Sequence, residues 1–151
     1  MKLSILDQSV SVKDKSQDQT INDTLNLSEM AEKMGYHRFW VSEHHNHPTI
    51  IGTAPEVLMA AIAVKTQKIR IGSAGIMLPH YSSFKVAEQF RVLNALAPNR
   101  IDLGLGRAPG SDGRAALALN PNNRENSEHF PSHVRDLISW VKNKDLIEGH
   151  P

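Results

Sequence analysis

Glu43, His44 and His45 stand side by side at the end of an apolar run, Phe39-Trp40-Val41-Ser42. A carboxylate beside two imidazoles can hold, give or take a proton near neutral pH. The run before them reads as a buried strand. In α/β proteins the loops at the carboxyl ends of parallel strands carry the reacting groups. Two more such exits follow, Gly72-Ser73-Ala74-Gly75 and Gly104-Leu105-Gly106-Arg107. Small residues let a flat ring approach the backbone closely. A guanidinium can bind a phosphate through paired charge-assisted hydrogen bonds. Three unusual exits in succession point to an enzyme site.

Each exit also has a plainer reading. The histidines could be solvated loop residues, Gly75 could open a turn before Pro79, and Arg107 could be a surface arginine. Gly104-Leu105-Gly106 lacks the third glycine of a dinucleotide fingerprint. Glu43, His44, His45 and His47 are all possible metal ligands, but neighbours in an extended segment point to opposite sides. The helical His-x-x-x-His spacing is also absent, so no metal site is expected.

The elements that must position these residues alternate strand with helix. Leu3 to Leu6 reads as a first strand, followed by a polar loop from Val12 to Gln19. Thr20-Ile21-Asn22-Asp23 can cap a helix, with Asp23 meeting the first-turn amides. Ile21, Leu25, Met30 and Met34 supply its apolar spacing, and Gly35 stops it. Strands are expected over Arg38–Ser42, Ile69–Ser73 and Arg100–Gly104. A helix opens at Pro55 and runs toward Lys65, since proline suits a first turn, and another spans Ser83–Ala97. After a loop from Gly106 to Gly113, a short helical piece covers Arg114–Leu119 and breaks at Asn120-Pro121-Asn122-Asn123. A longer helix spans Ser132–Asn143, with Arg124 as its earliest start. Trp40 reads as core, and Arg100 as a structural residue at its strand's start.

Buried strands alternating with helices imply a parallel sheet with right-handed crossovers. A (β/α)8 barrel needs eight strands and typically about 250 residues. The chain of 151 residues therefore reads as a single domain, 1–151, of α/β (β/α)8 TIM-barrel type covering the first four βα units. This half-barrel ends at Leu146-Ile147-Glu148-Gly149-His150-Pro151. An open four-stranded sheet is the alternative, with two edges needing cover.

Composition narrows the function. The 17 basic residues nearly balance the 16 acidic ones, which gives no reason to expect nucleic acid or an anionic membrane surface as partner. There is no cysteine, so disulfides, thiolate catalysis and cysteine-bound metals are excluded. The amino terminus turns polar too soon for a signal peptide, and no stretch approaches a membrane span. A soluble, cytoplasmic protein is expected.

Three segments carry a family resemblance: Gly35-Tyr36-His37-Arg38-Phe39-Trp40-Val41-Ser42-Glu43-His44-His45, Arg70-Ile71-Gly72-Ser73-Ala74-Gly75-Ile76, and Ala97-Pro98-Asn99-Arg100-Ile101-Asp102-Leu103-Gly104-Leu105-Gly106-Arg107. In this order and spacing the chain resembles the amino-terminal half of the bacterial luciferase-like flavin monooxygenases. The resemblance implies reduced FMN as cofactor, a deazaflavin being the lesser choice, and insertion of molecular oxygen into an organic substrate. It implies His44 as the catalytic histidine near the flavin's reactive edge, with Glu43 orienting it or facing the flavin and His45 in support. It places Ser73, Ala74 and Gly75 under the flavin ring, with a non-proline cis peptide at Ala74–Gly75, and Arg107 at the flavin phosphate. A separate flavin reductase is an implied partner. Family members continue for as long again, which leaves a second reading: a non-catalytic half-barrel that binds flavin or only self-associates. Exposed strand edges and an uncovered barrel interior predict a homodimer or larger assembly.

Overall fold

In the computed structural model, residues 1–144 and Leu146 are described. Apart from Leu146, the terminal stretch at which the sequence reading closes its half-barrel lies outside them. The chain forms β1 (Ser4–Asp7), α1 (Gln17–Lys33), β2 (Arg38–Val41), α2 (Pro55–Lys65), β3 (Arg70–Ser73), β4 (Ile76–Met77), a 3₁₀ turn (Leu78–His80), α3 (Ser83–Leu96), β5 (Ile101–Asp102), β6 (Leu105–Gly106), α4 (Gly113–Leu119), α5 (Asn123–Glu128) and α6 (Phe130–Val141). Strands β1, β2, β3 and β5 pair in chain order and all in parallel. Neighbours in chain order, each joined by a helical crossover, are the opening of a barrel. The chain is thus an α/β half-barrel of four βα units.

The strands' two faces have separate duties, as a period of two dictates. Phe39 and Val41 of β2 and Ile71 of β3 point toward the helices and are buried. There they meet Leu58, Met59 and Ile62 of α2, and Val86, Phe90 and Leu93 of α3. Full burial of each such side chain stabilises by about 1.5–3 kcal/mol, and this layer supplies most of what holds the half-barrel together. The opposite face carries Leu6, Arg38, Trp40, Arg70, Gly72 and Asp102, and among the described residues no layer of helices covers it. Trp40 therefore lies half-buried on the open face, outside the core between sheet and helices.

Helix α1 departs most from the sequence reading. It begins at Gln17, within the stretch read as loop, and its cap is Ser16. The Ser16 hydroxyl accepts from the Gln19 amide while the Gln19 side chain accepts from the Ser16 amide, a reciprocal capping box. Asp23 lies inside the helix and pairs with Lys15. The buried stripe is Thr20, Thr24, Ser28 and Ala31, while Met30 and Met34 are exposed. Gly35, at φ +79°, ends the helix as anticipated. Helix α2 has the expected bounds. The single long helix expected near the end is two, α5 and α6, because Pro131 in the first turn of α6 suits a fresh start.

The fourth strand also divides. Only Ile101–Asp102 extends the main sheet, and Leu105–Gly106 pairs instead with β4. The break occurs where backbones press together: a Cβ on Gly104 would lie 2.2 Å from the Ser73 carbonyl oxygen. Arg100 braces this edge as expected, donating to the Ala63 and Ile69 carbonyls and to the Thr66 hydroxyl.

Asp102 joins the lower strands on the open face. Burial acts to raise its pKa, but the hydrogen bonds from Arg70 and Trp40, the Arg70 charge and the bond from Arg38 outweigh it and hold the carboxyl below the usual 3.8. A depressed folded pKa gives stability that is complete above the unfolded value and is lost as pH falls through the folded one. The stability gap between the native chain and Asp102→Asn should therefore be full at pH 6 and shrink below about pH 4, measured by urea unfolding across pH. A gap that stays constant down to pH 2 would contradict this.

Candidate functional site

All three strand exits lie on the carboxyl edge of the sheet. At the end of β2, Ser42 is buried and Glu43 is wholly buried, and the chain then emerges at half-buried His44. The Ser42 hydroxyl and His44 Nδ1 share a hydrogen bond of 3.2 Å. That fixes the ring through one nitrogen, and Nε2 has no protein partner among the described residues. An imidazole held by one nitrogen and open at the other is arranged to exchange a proton with a ligand.

Glu43 orients His45 rather than His44, contrary to the first of its two expected roles. Its Oε1 accepts from His45 Nε2 at 2.7 Å and from the Tyr81 hydroxyl at 2.7 Å, and its Oε2 accepts from the Met77 amide at 2.8 Å. Alternation along the extended segment sends neighbouring side chains to opposite sides, so Glu43 turns inward while His44 turns out. Burial and then the Glu43 carboxylate push the Tyr81 phenol well above its ordinary pKa. The phenol thus stays a proton donor to the carboxylate. This buried knot ties the β2 exit to β4 and to the start of α3.

His80 extends the knot. Its Nε2 donates to the Pro109 carbonyl at 2.7 Å, leaving Nδ1 buried without a protein partner. The His80 ring meets those of His45 and Tyr81 edge-on, with centroids 6.0 and 6.2 Å apart. The His45 amide donates to the Gly110 carbonyl at 2.8 Å. Together these contacts hold the loop after β6 against the β2 exit. Sequence reasoning missed Tyr81, and His80 enters it only within Leu78-Pro79-His80 as a candidate border of a substrate pocket, because both residues take meaning only from what they touch.

At the second exit the peptide between Ala74 and Gly75 is cis, at the position the resemblance named. The Ala74 amide donates to the Val41 carbonyl at 2.8 Å, placing this exit beside that of β2. Ser73 and Gly75 are buried, and only Ala74 is partly open. The Ser73 hydroxyl donates to the Gly104 carbonyl at 2.9 Å and accepts from the Gly104 amide at 3.1 Å. Ser73 is thereby committed to joining the second and third exits.

Arg107, at the third exit, is exposed. Its Nε donates to the Ser127 carbonyl at 2.9 Å, while its terminal nitrogens have no partner among the described residues. Arg107, Arg124, Pro79, Pro109, Asn123, Ser127 and Glu128 line a cleft of about 390 Å³. Sequence reasoning also missed Arg124, which α5 brings to the same cleft. Among the described residues no group of three or more His, Asp or Glu side chains is placed to hold a metal ion, and no helix is long and apolar enough to cross a membrane.

The profile of the luciferase-like monooxygenases matches residues 1–127. The chain belongs to that family. It is 48% identical to N-acetyl-S-alkylcysteine monooxygenase of Bacillus subtilis (strain 168) over 150 residues, 99% of this chain and 45% of that protein. Among solved structures, apo-MsnO8 superposes with a TM-score of 0.91 at 37% identity, covering 97% of this chain and 44% of that one. The oxygenating constituent of 3,6-diketocamphane monooxygenase from Pseudomonas putida, a type II Baeyer-Villiger enzyme in complex with FMN, gives 0.79 at 21% identity, covering 91% and 38%. That last likeness speaks for the fold alone. The chain spans less than half the length of these relatives, as expected of a half-barrel.

Proposed function

We propose that this luciferase-like chain carries the flavin-facing half of a flavin-dependent monooxygenase that uses reduced FMN and molecular oxygen. The observation that carries this reading is His44, fixed through Nδ1 and open at Nε2, on the same sheet edge as Ala74 and as Arg107, whose terminal nitrogens have no partner among the described residues. The donor set suits a flavin phosphate: Arg107 and Arg124 share a cleft, and arginine matches phosphate with paired bonds. Bound reduced flavin would supply the electrons for oxygen activation. Ala74 offers a surface without side-chain bulk to the ring, and Ser73 and Gly75 hold that surface from beneath. His44 holds or moves a proton at Nε2. Glu43 keeps the β2 exit, β4 and Tyr81 in register, a positioning role rather than a flavin contact. We further take cytoplasmic location and a separate reductase as part of this reading.

Anaerobic titration of the 151-residue chain with reduced FMN, followed by heat release, tests the proposal. Saturable binding is expected, and Arg107→Ala should weaken it about tenfold or more, the scale of a lost hydrogen bond to a charged group. Absence of saturable binding, or an Arg107→Ala curve matching the native one, would sink the flavin reading. Reduced deazaflavin in the same cell asks which cofactor is preferred. The 48% identical relative is named for N-acetyl-S-alkylcysteine, which makes a thioether-bearing amino acid the first substrate to try. A second reading, flavin binding without turnover, draws on the chain's spanning only 45% of that relative. Binding without product formation would favour it.

A further inference from the structure

Ser42 and His44 stand two residues apart in an extended segment, so their side chains leave the backbone on the same side. Ser42 is only 1% exposed, and its Oγ lies 3.2 Å from His44 Nδ1. A hydroxyl has one hydrogen to give and lone pairs to receive, so this contact admits two arrangements. In one, Ser42 donates to a bare Nδ1. In the other, Nδ1–H donates to Ser42, and the hydroxyl hydrogen must find a different acceptor. Among the described residues it has none. The Asp7 carbonyl takes the Ser42 amide and the Val41 carbonyl takes the Ala74 amide, and neither accepts from the hydroxyl. A buried donor without a partner is costly, whereas an oxygen with a spare lone pair is the commoner exception. The first arrangement therefore wins.

We infer that Ser42 is a positioning residue that donates to His44 Nδ1 and so holds the neutral imidazole in its Nε2–H form. The preference over the other tautomer should be about tenfold or more, the scale on which a buried donor loses its partner. The outward nitrogen of His44 is then a hydrogen-bond donor before any ligand arrives. Glu43 treats His45 differently. A carboxylate accepts, so His45 carries its proton on the bonded nitrogen, Nε2, and its Nδ1 is bare in the neutral ring. The two adjacent histidines thus differ in kind: the free nitrogen of His44 donates and that of His45 accepts. What this means for chemistry rests on the proposed flavin site. A donor at that edge suits an acceptor atom on the ligand, and negative charge growing on that atom would meet a proton already in place.

Nitrogen NMR of the isotope-labelled chain tests the inference with no flavin present. In a neutral imidazole the bare nitrogen resonates well downfield of the protonated one, and long-range proton–nitrogen correlations tell Nδ1 from Nε2. At about pH 9, where histidine is ordinarily neutral, His44 should show a protonated Nε2 and a bare Nδ1. The signals missing from His44→Ala assign the ring. Ser42→Ala should move both His44 nitrogens toward the averaged positions of a ring exchanging between tautomers, while the His45 pattern stays as it was. Ser42→Thr keeps a hydroxyl and should keep the native pattern. A protonated Nδ1 in the native chain would overturn the inference. So would a His44 pattern that Ser42→Ala leaves unchanged, or one that Ser42→Thr alters as much as Ser42→Ala does. If Ser42→Ala does not fold, the native chain is set against an unstructured histidine peptide in the same buffer. A stronger bias to Nε2–H in the chain supports the role of Ser42, and an equal mixture in the two overturns it. The Nε2–H form in a native chain that fails to bind reduced FMN would support the role of Ser42 and sink the flavin reading alone.

Discussion

Replacing Glu43 by alanine is expected to lower the stability of the chain by about 3–5 kcal/mol, the range for removing one partner of a buried charged network. The side chain is wholly buried and accepts from His45, Tyr81 and the Met77 amide. Alanine leaves all three donors without an acceptor in a dry setting, and it also leaves a void. A domain of this size is stable by about 5–15 kcal/mol, so the variant should retain only a fraction of that margin. Glutamine should cost less, about 1–3 kcal/mol. Its one oxygen can serve two of the donors, but its amide must then oppose the third. Tyr81→Phe removes a single donor and should be mildest. Urea unfolding followed by circular dichroism gives the order directly. Alanine within about 1 kcal/mol of the native chain would show that the knot does not hold the three exits together.

The identity of Glu43 as a positioning residue was not legible in the sequence, and the reason is geometric. Sequence places Glu43, His44 and His45 together at a strand exit, which is right. It cannot say which of two adjacent side chains turns inward, because that depends on the register of the strand against its neighbours. The partners Met77 and Tyr81 lie 34 and 38 residues away, beyond any local spacing rule. Where local rules do govern, the reading fares well: Pro55 and Lys65 bound α2, and Gly35 closes α1. The start of α1 was legible too, through Ser16 and Gln19, but the weaker signal at Asp23 was followed in its place. Trp40 was read by hydrophobicity alone, whereas its indole N–H and the space above Gly72 decide where it lies.

His44→Ala should separate chemistry from architecture. The hydrogen bond of the His44 side chain among the described residues is to the buried Ser42 hydroxyl, so its loss orphans that one hydroxyl and should cost about 1–3 kcal/mol, less than the loss of Glu43. On the proposed flavin reading, reduced FMN should bind the variant within about threefold of the native affinity, because Arg107 and Arg124 are left in place in their cleft. On the proposed monooxygenase reading, the rate of product formation should fall by about 10²–10⁴, the range for removing a positioned proton-transfer group. His45→Ala should behave in the opposite way. Its ring is tied to Glu43 at 2.7 Å and packs edge-on against His80, so the cost should fall on stability, with turnover per folded molecule reduced far less. The pair matters because the two residues are chemically identical and adjacent, and only the direction of the side chain distinguishes them. If His45→Ala abolished turnover in a fully folded protein while His44→Ala did not, the catalytic assignment would pass from the outward imidazole to the inward one.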